Sequence, residues 1–189
     1  MTSRRPSTRG PASRLSSVED PYTGPVDATP ALVEIGRALG ALDFEAVLIG
    51  NAAAALQGAP VTTVDFDFFF RNTSRNLAKL KALADRLKAV ILRPYYPASD
   101  LYRVVRDDDG LQVDFMATIH GIRSFKGVYV RATLIEIDDV TIRVASLADI
   151  IRSKKAARRP RDLAVLGILE KALEATRQKN KAGSGRAGK

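Results

Sequence analysis

The sequence predicts a mixed α/β (α+β) domain in which helices flank one small mixed sheet. Three observations predict it. The first half alternates helical and strand-like apolar patterns in the order helix, strand, helix, strand, helix. Several short strands joined by hairpin turns follow, and two helical segments close the pattern. The 189 residues suffice for one domain with a core, and no segment repeats.

Each element has a local reason. Residues 1–28 are rich in Ser, Pro, Arg and Gly and read as a disordered basic tail. Thr29-Pro30 reads as an N-cap followed by Pro at the first helical position, with Leu32, Ile35, Leu39 and Leu42 at helical spacing. FEAVLI, residues 44–49, reads as a short buried strand that Gly50-Asn51 breaks. AAAALQG then forms a short helix closed by Gly58. VTTVDFDFFF, residues 61–70, reads as a second buried strand. Thr73 caps a helix whose stripe is Leu77, Leu80, Ala84 and Leu87. AVILR is a strand, and RPYYPASD, with Tyr95 and Tyr96, is a loop. LYRVVR and LQVDFMATI are strands around the turn DDDG. VYVRATLIEI and VTIRVA form another hairpin around Asp138-Asp139. Ser146 and Asp149 make a capping box, and Pro160 starts a last helix with Leu163, Leu166, Leu169 and Leu173 inward. The domain is expected over residues 29–176, with a flexible basic tail over 177–189.

Composition removes several classes of function. The chain has no Cys, which excludes disulfides and thiolate metal sites. No apolar run approaches the roughly 20 residues of a membrane span. The N-terminal stretch lacks the apolar core of a secretory signal, so a cytoplasmic location is expected. The net charge is +9, and it is localised. From Arg152 onward there are twelve Lys or Arg against three Asp or Glu, whereas the first 151 residues balance at eighteen of each. A localised basic patch attracts a polyanion and releases its counterions. In RSKKAARRPR, between apolar helical stretches, Arg152, Lys155, Arg158 and Arg161 are therefore candidate contacts to nucleic acid, RNA included, or to a nucleotide, against the alternative of a plain solvated face.

The chemistry is read from carboxylates in apolar strands. In VTTVDFDFFF, alternation puts Phe66, Phe68 and Phe70 on one face and Asp65 and Asp67 on the other. Such a pair also fits the wet face of an edge strand. In LQVDFM, Asp114 points away from the apolar face of Leu111, Val113 and Phe115. If the two strands are neighbours, three carboxylates can converge. Hard cations such as Mg²⁺ or Mn²⁺ take oxygen ligands of this kind, completed by substrate phosphates. Gly50 and Asn51, between a strand and a helix of small residues, suit close approach to a phosphate. Lys154 and Lys155 both follow buried-face isoleucines at i+4, so either could reach a triphosphate. Asp162 lies on the inward stripe of the last helix, and equally fits a first-turn Asp complementing the helix dipole. The single His, His120, reads as a polar loop residue.

Strand, Gly-Asn, small helix, T-x-D-x-D and a later strand with a third Asp together resemble the DNA polymerase β-type nucleotidyltransferase superfamily, and within it the AbiEii/MenAT-like branch. The stretches that carry the resemblance are IGNAAAALQGAPVTTVDFDFFF, LQVDFMATI and LADIIRSKKAARRPRDLAVL, within residues 44–170. The resemblance implies that Asp65 and Asp67 bind metal and that Asp114 is the third carboxylate. It places Gly50 and Asn51 at the phosphate loop, favours Lys154 over Lys155, and matches Arg159 and Asp162 to its R-P-K-D segment. It implies an NTP substrate, Mg²⁺ or Mn²⁺, a tRNA or other RNA acceptor, and a cognate antitoxin protein. This chain departs from the pattern at Asn51, Gln57, Val61, Arg158 and Val165, none of them a metal ligand. Transfer to a protein or small molecule, as in antitoxin or antibiotic-resistance types, is the alternative within this chemistry. A non-enzymatic RNA-binding module is the rival outside it, and it leaves the carboxylates unexplained.

Overall fold

A computed structural model describes residues 28–63, 65–92 and 100–184. Residues 1–27 of the expected N-terminal tail, Val64, residues 93–99 with Tyr95 and Tyr96, and the last five residues lie outside the described residues. The elements in chain order are α1 (Thr29–Ala41), β1 (Ala46–Ile49), α2 (Gly50–Ala55), β2 (Phe66–Phe70), α3 (Ser74–Arg86), β3 (Val90–Leu92), β4 (Leu101–Arg106), β5 (Leu111–Met116), α4 (Phe125–Arg131), β6 (Thr133–Ile137), β7 (Val140–Val144), α5 (Leu147–Ala157) and α6 (Pro160–Ser184). The seven strands form one mixed sheet in the order β3-β4-β5-β2-β1-β7-β6. β2 runs antiparallel to β1 and parallel to β5.

The central strands are buried on both faces. Phe68 and Phe70 of β2 and Phe115 of β5 join Phe44 in a ring cluster with centroids 5.4–6.4 Å apart. This face meets α1, whose Gly36 lies so close to Val140 and Ile142 that an added Cβ would sit 3.0 Å from Val140. On the opposite face Phe69 packs edge-on against Phe125 of α4, with centroids 5.3 Å apart. The Asp67 side of β2 is thus covered by protein rather than wet. Arg106, at the end of β4, donates to Glu34 of α1, to the Leu87 carbonyl and to Asp109. That network holds the β4–β5 hairpin against the α1 side.

Four local expectations are corrected. β2 begins at Phe66, so Asp65 lies in the connection before the strand and alternation does not orient it. Thr29 is the first helical residue of α1, and Ala28 is its N-cap, without a side-chain hydrogen bond. VYVR belongs to α4, not to a strand. Its N-cap Ser124 accepts from the Gly127 N–H, and Phe125, Val128 and Tyr129 turn to the core at helical spacing, which outweighs the β-branched valines. Leu163 is half exposed, because the inward first-turn position of α6 goes to Asp162. The caps at Thr73 and Ser146 form as expected, each accepting from the N–H three residues on. α6 continues to Ser184, past the boundary expected at 176.

Phe115 is fully buried and touches three other rings. Phe115→Ala is expected to cost about 3–5 kcal/mol in urea unfolding, and Phe115→Leu far less. A loss under about 1 kcal/mol for the alanine variant would show that the ring cluster does not hold the sheet together.

Candidate active site

Register builds the site. Asp67 on β2 lies directly opposite Asp114 on β5, so the two side chains leave the sheet on one face. On the other flank of β2, Asp67 is opposite Ile49, the residue before Gly50. Gly50 has φ +71°, and a Cβ there would lie 2.5 Å from Asp67 Oδ2. Only glycine allows the chain to turn from β1 into α2 against that carboxylate. Asn51, the next residue, has a buried side-chain oxygen, Oδ1, with no hydrogen-bond partner.

The two strand carboxylates differ in their surroundings. Asp114 is buried and receives a two-pronged ion pair from Arg103 of β4, with Nε 2.8 Å from Oδ1 and Nη2 2.7 Å from Oδ2. Among the described residues Asp67 has no such partner. Burial pushes its carboxyl up to about 6, helped by the negative charges of Asp114 and Asp65, while Lys154 and Arg161 act the other way. Asp65 is exposed, and its backbone N–H donates to Thr63 Oγ1 at 3.2 Å.

The cationic side comes from α5 and α6. Lys154 is largely buried, and its Nζ lies 3.1 Å from Asp162 Oδ1. Arg159 Nε donates to Asp162 Oδ2 at 2.9 Å. Asp162 is itself buried, so it holds two cations in place rather than merely complementing the dipole of α6. Lys155 points outward and pairs with Glu170 at 2.6 Å, which separates it from Lys154 where periodicity could not. Arg158 is the exposed left-handed cap of α5 (φ 54°), and Arg152 pairs with Asp149. Among the described residues no three His, Cys, Asp or Glu side chains lie close enough together to enclose a metal ion. Register brings Asp67 and Asp114 to one face, but Arg103 holds the latter.

The donor chemistry nonetheless fits a hard divalent cation. Asp67 carries a carboxylate that its burial disfavours, Asn51 Oδ1 lacks a donor, and both flank the close approach at Gly50.

Arg103 was not among the residues singled out from sequence, although a signal exists. The DDDG turn joins β4 to β5 so that Arg106 meets Leu111, and counting back along the hairpin puts Arg103 opposite Asp114. Gln57, one of the departures noted above, is structural. Its amide donates to the Ala53 and Ala145 carbonyls and accepts from the Leu147 N–H, pinning α2 to the β7–α5 junction.

One family model, described as "Nucleotidyl transferase of unknown function (DUF2204)", matches residues 28–182. The chain belongs to this family. It is a nucleotidyltransferase of mixed α/β fold. Similar solved structures include the lincosamide antibiotic adenylyltransferase LnuA, lincomycin-bound, with a TM-score of 0.56 and 11% identity over 75% of this chain and 95% of that one. Another is ANT(2")-Ia in complex with adenylyl-2"-tobramycin, with a TM-score of 0.54 and 14% identity over 84% and 97%. At these identities the likeness establishes the shared fold. No curated protein matches the chain significantly. No described helix is long and apolar enough to cross a membrane.

Two outcomes follow from this geometry. The folded chain holds the Asp67 proton more tightly than the unfolded chain does, so ionising Asp67 lowers stability as pH rises from 3.8 through about 6. In metal-free protein, Asp67→Asn should therefore gain over wild type across that window, reaching on the order of 2–3 kcal/mol at pH 7. Denaturant unfolding at a series of pH values measures it, and an advantage independent of pH contradicts it. Gly50→Ala should lose at least about 1–2 kcal/mol from the positive φ alone, and more from contact with Asp67. Wild-type stability in that variant would remove Gly50 from the account.

Proposed function

We propose that this nucleotidyltransferase moves a nucleoside monophosphate from an NTP to a hydroxyl of an RNA acceptor, the tRNA 3′ end, releasing pyrophosphate. It would do so in the cytoplasm as the toxin of a toxin–antitoxin pair of the AbiEii/MenAT-like type, restrained by a cognate antitoxin protein. Residues 29–176 would form the transferase unit.

In this reading Asp65 and Asp67 hold Mg²⁺ or Mn²⁺, with Asp114 as the third carboxylate. The bound cation would neutralise triphosphate charge and lower the pKa of the acceptor hydroxyl. The chain's own residues do the rest. Gly50 lets the backbone turn against the Asp67 carboxylate, and Asn51 supplies a polar side chain there. Lys154 offers its charge to the leaving pyrophosphate. Asp162 aims Lys154 and Arg159 by pairing with both. Arg161 contributes positive charge toward Asp67, so its role extends past the acceptor contact first assigned to it.

The observation that carries the RNA acceptor is charge. The entire net excess lies from Arg152 onward, and all but two of its cations, Arg186 and Lys189, fall within residues 152–184, the stretch of the helices that bring Lys154 toward the carboxylates. A small-molecule acceptor is the second reading, favoured by the fold shared with LnuA and ANT(2")-Ia. It leaves the localised charge without a use.

Purified protein, Mg²⁺ and each labelled NTP in turn, incubated with total RNA and with total protein, decides among acceptors. Label should enter RNA of tRNA size, and Asp65→Ala or Asp67→Ala should abolish it. Label in protein only, or in RNA with either variant at the wild-type rate, contradicts the proposal.

A further inference from the structure

A second basic surface lies outside the carboxylate site. Between Asp114 and Glu136 the chain contains Arg123, Lys126 and Arg131 and no Asp or Glu. The balanced charge of the first 151 residues hides this run. In the fold, the connection from β5 to α4 lies against α5, with Gly121 so close that an added Cβ would meet the Arg152 carbonyl oxygen at 3.0 Å. Arg123 and Arg131 thereby come to the same wall as Arg152, the first cation of the basic segment. Together with Ser124 and Gly127 they line a cavity of about 490 Å³.

Two of the three arginines are held in place. Asp149, fully buried, accepts from Arg131 Nε at 3.0 Å and Nη2 at 2.8 Å, and from Arg152 Nη1 at 3.4 Å. Ser146 Oγ donates to the same carboxylate at 3.0 Å. One cation would neutralise Asp149, yet two are fastened to it while both guanidiniums stay about half exposed. Arg131 keeps Nη1 free of this pairing, and Arg152 keeps Nε and Nη2. Arg123 is exposed, and among the described residues no carboxylate pairs with it. Three guanidiniums against one buried carboxylate leave a net positive cavity, and the donors of two of them, Arg131 and Arg152, are already oriented, an arrangement that suits a phosphate oxygen pair.

We infer that this cavity is a phosphate-binding subsite for the backbone of the RNA acceptor. The inference rests on the RNA reading above and extends it to residues of the first 151. Arg152 and Lys154 are two positions apart on α5, so they face about 200° apart around the helix. One helix diameter, about 10–12 Å with side chains, separates the faces, and a single strand can touch both. The NTP phosphates belong beside Lys154, and the acceptor's backbone beside Arg152.

The test is binding of labelled bulk tRNA by the full chain without NTP, followed by anisotropy across 50–200 mM salt. The variant is Arg123→Glu, an exposed position with no ion pair to lose. Arg75→Glu, on α3, is the control with the same change in net charge. Arg123→Glu should weaken tRNA binding several-fold more than the control and lower the salt slope by about one, while ATP affinity stays unchanged. Equal behaviour of the two variants overturns the subsite and leaves the RNA reading standing. An equal loss of ATP affinity overturns the assignment to the acceptor. Failure of the wild-type chain to bind tRNA overturns the RNA reading and the subsite together.

Discussion

Two carboxylates on adjacent parallel strands, Asp67 and Asp114, set the terms for everything around them. They leave the sheet on the same face, where both lose much of their water. Like charges at such spacing repel, and burial adds to the cost. The fold answers the cost differently for each. Asp114 receives the rigid fork of Arg103, whereas Asp67 is left to Coulomb help from Lys154 and Arg161 and remains easily protonated. An enzyme that needs a charge-dense site for part of its cycle can tolerate an unsatisfied carboxylate there, at the expense of stability.

The remaining site follows from that asymmetry. Gly50 has no side chain because Asp67 already fills the space. α2 begins beside it and is anchored by Gln57 to the end of β7 and the start of α5. α5 then carries Lys154 inward, and α6 returns Asp162 to hold it. The carboxylate face of β2 and the cationic faces of α5 and α6 are thus connected through the Gln57 side chain and the Lys154–Asp162 pair. The second arginine cluster uses the same helix from its other side, with Asp149 as its anchor as Asp162 is for the first.

Much of this was legible in the sequence, and what was missed has physical causes. The alternation in DFDFFF correctly placed Asp67 on the face opposite Phe66, Phe68 and Phe70, and the hairpin and capping signals located β4 to β7 and α5. Alternation could not orient Asp65, because it precedes the strand. VYVR looked extended because its valines are β-branched, and the cap at Ser124 outweighed them. Arg103 escaped because a charged residue in a strand reads as solvated until the hairpin register supplies its partner. Charge summed over 151 residues concealed a local run of cations whose balancing acids lie elsewhere in the chain. The split between Lys154 and Lys155 required tertiary contacts, since both lie at the edge of one helical stripe.

The proposed function turns on Asp67 as the carboxylate that takes a cation. A carbon-detected NMR titration of its side-chain carboxyl, with and without Mg²⁺, tests this directly. Without metal the midpoint should lie near 6. With saturating Mg²⁺ it should fall below the ordinary value of 3.8, because a bound cation favours the ionised form. A midpoint already near 3.8 in the bare protein, or one that Mg²⁺ does not move, would contradict the account.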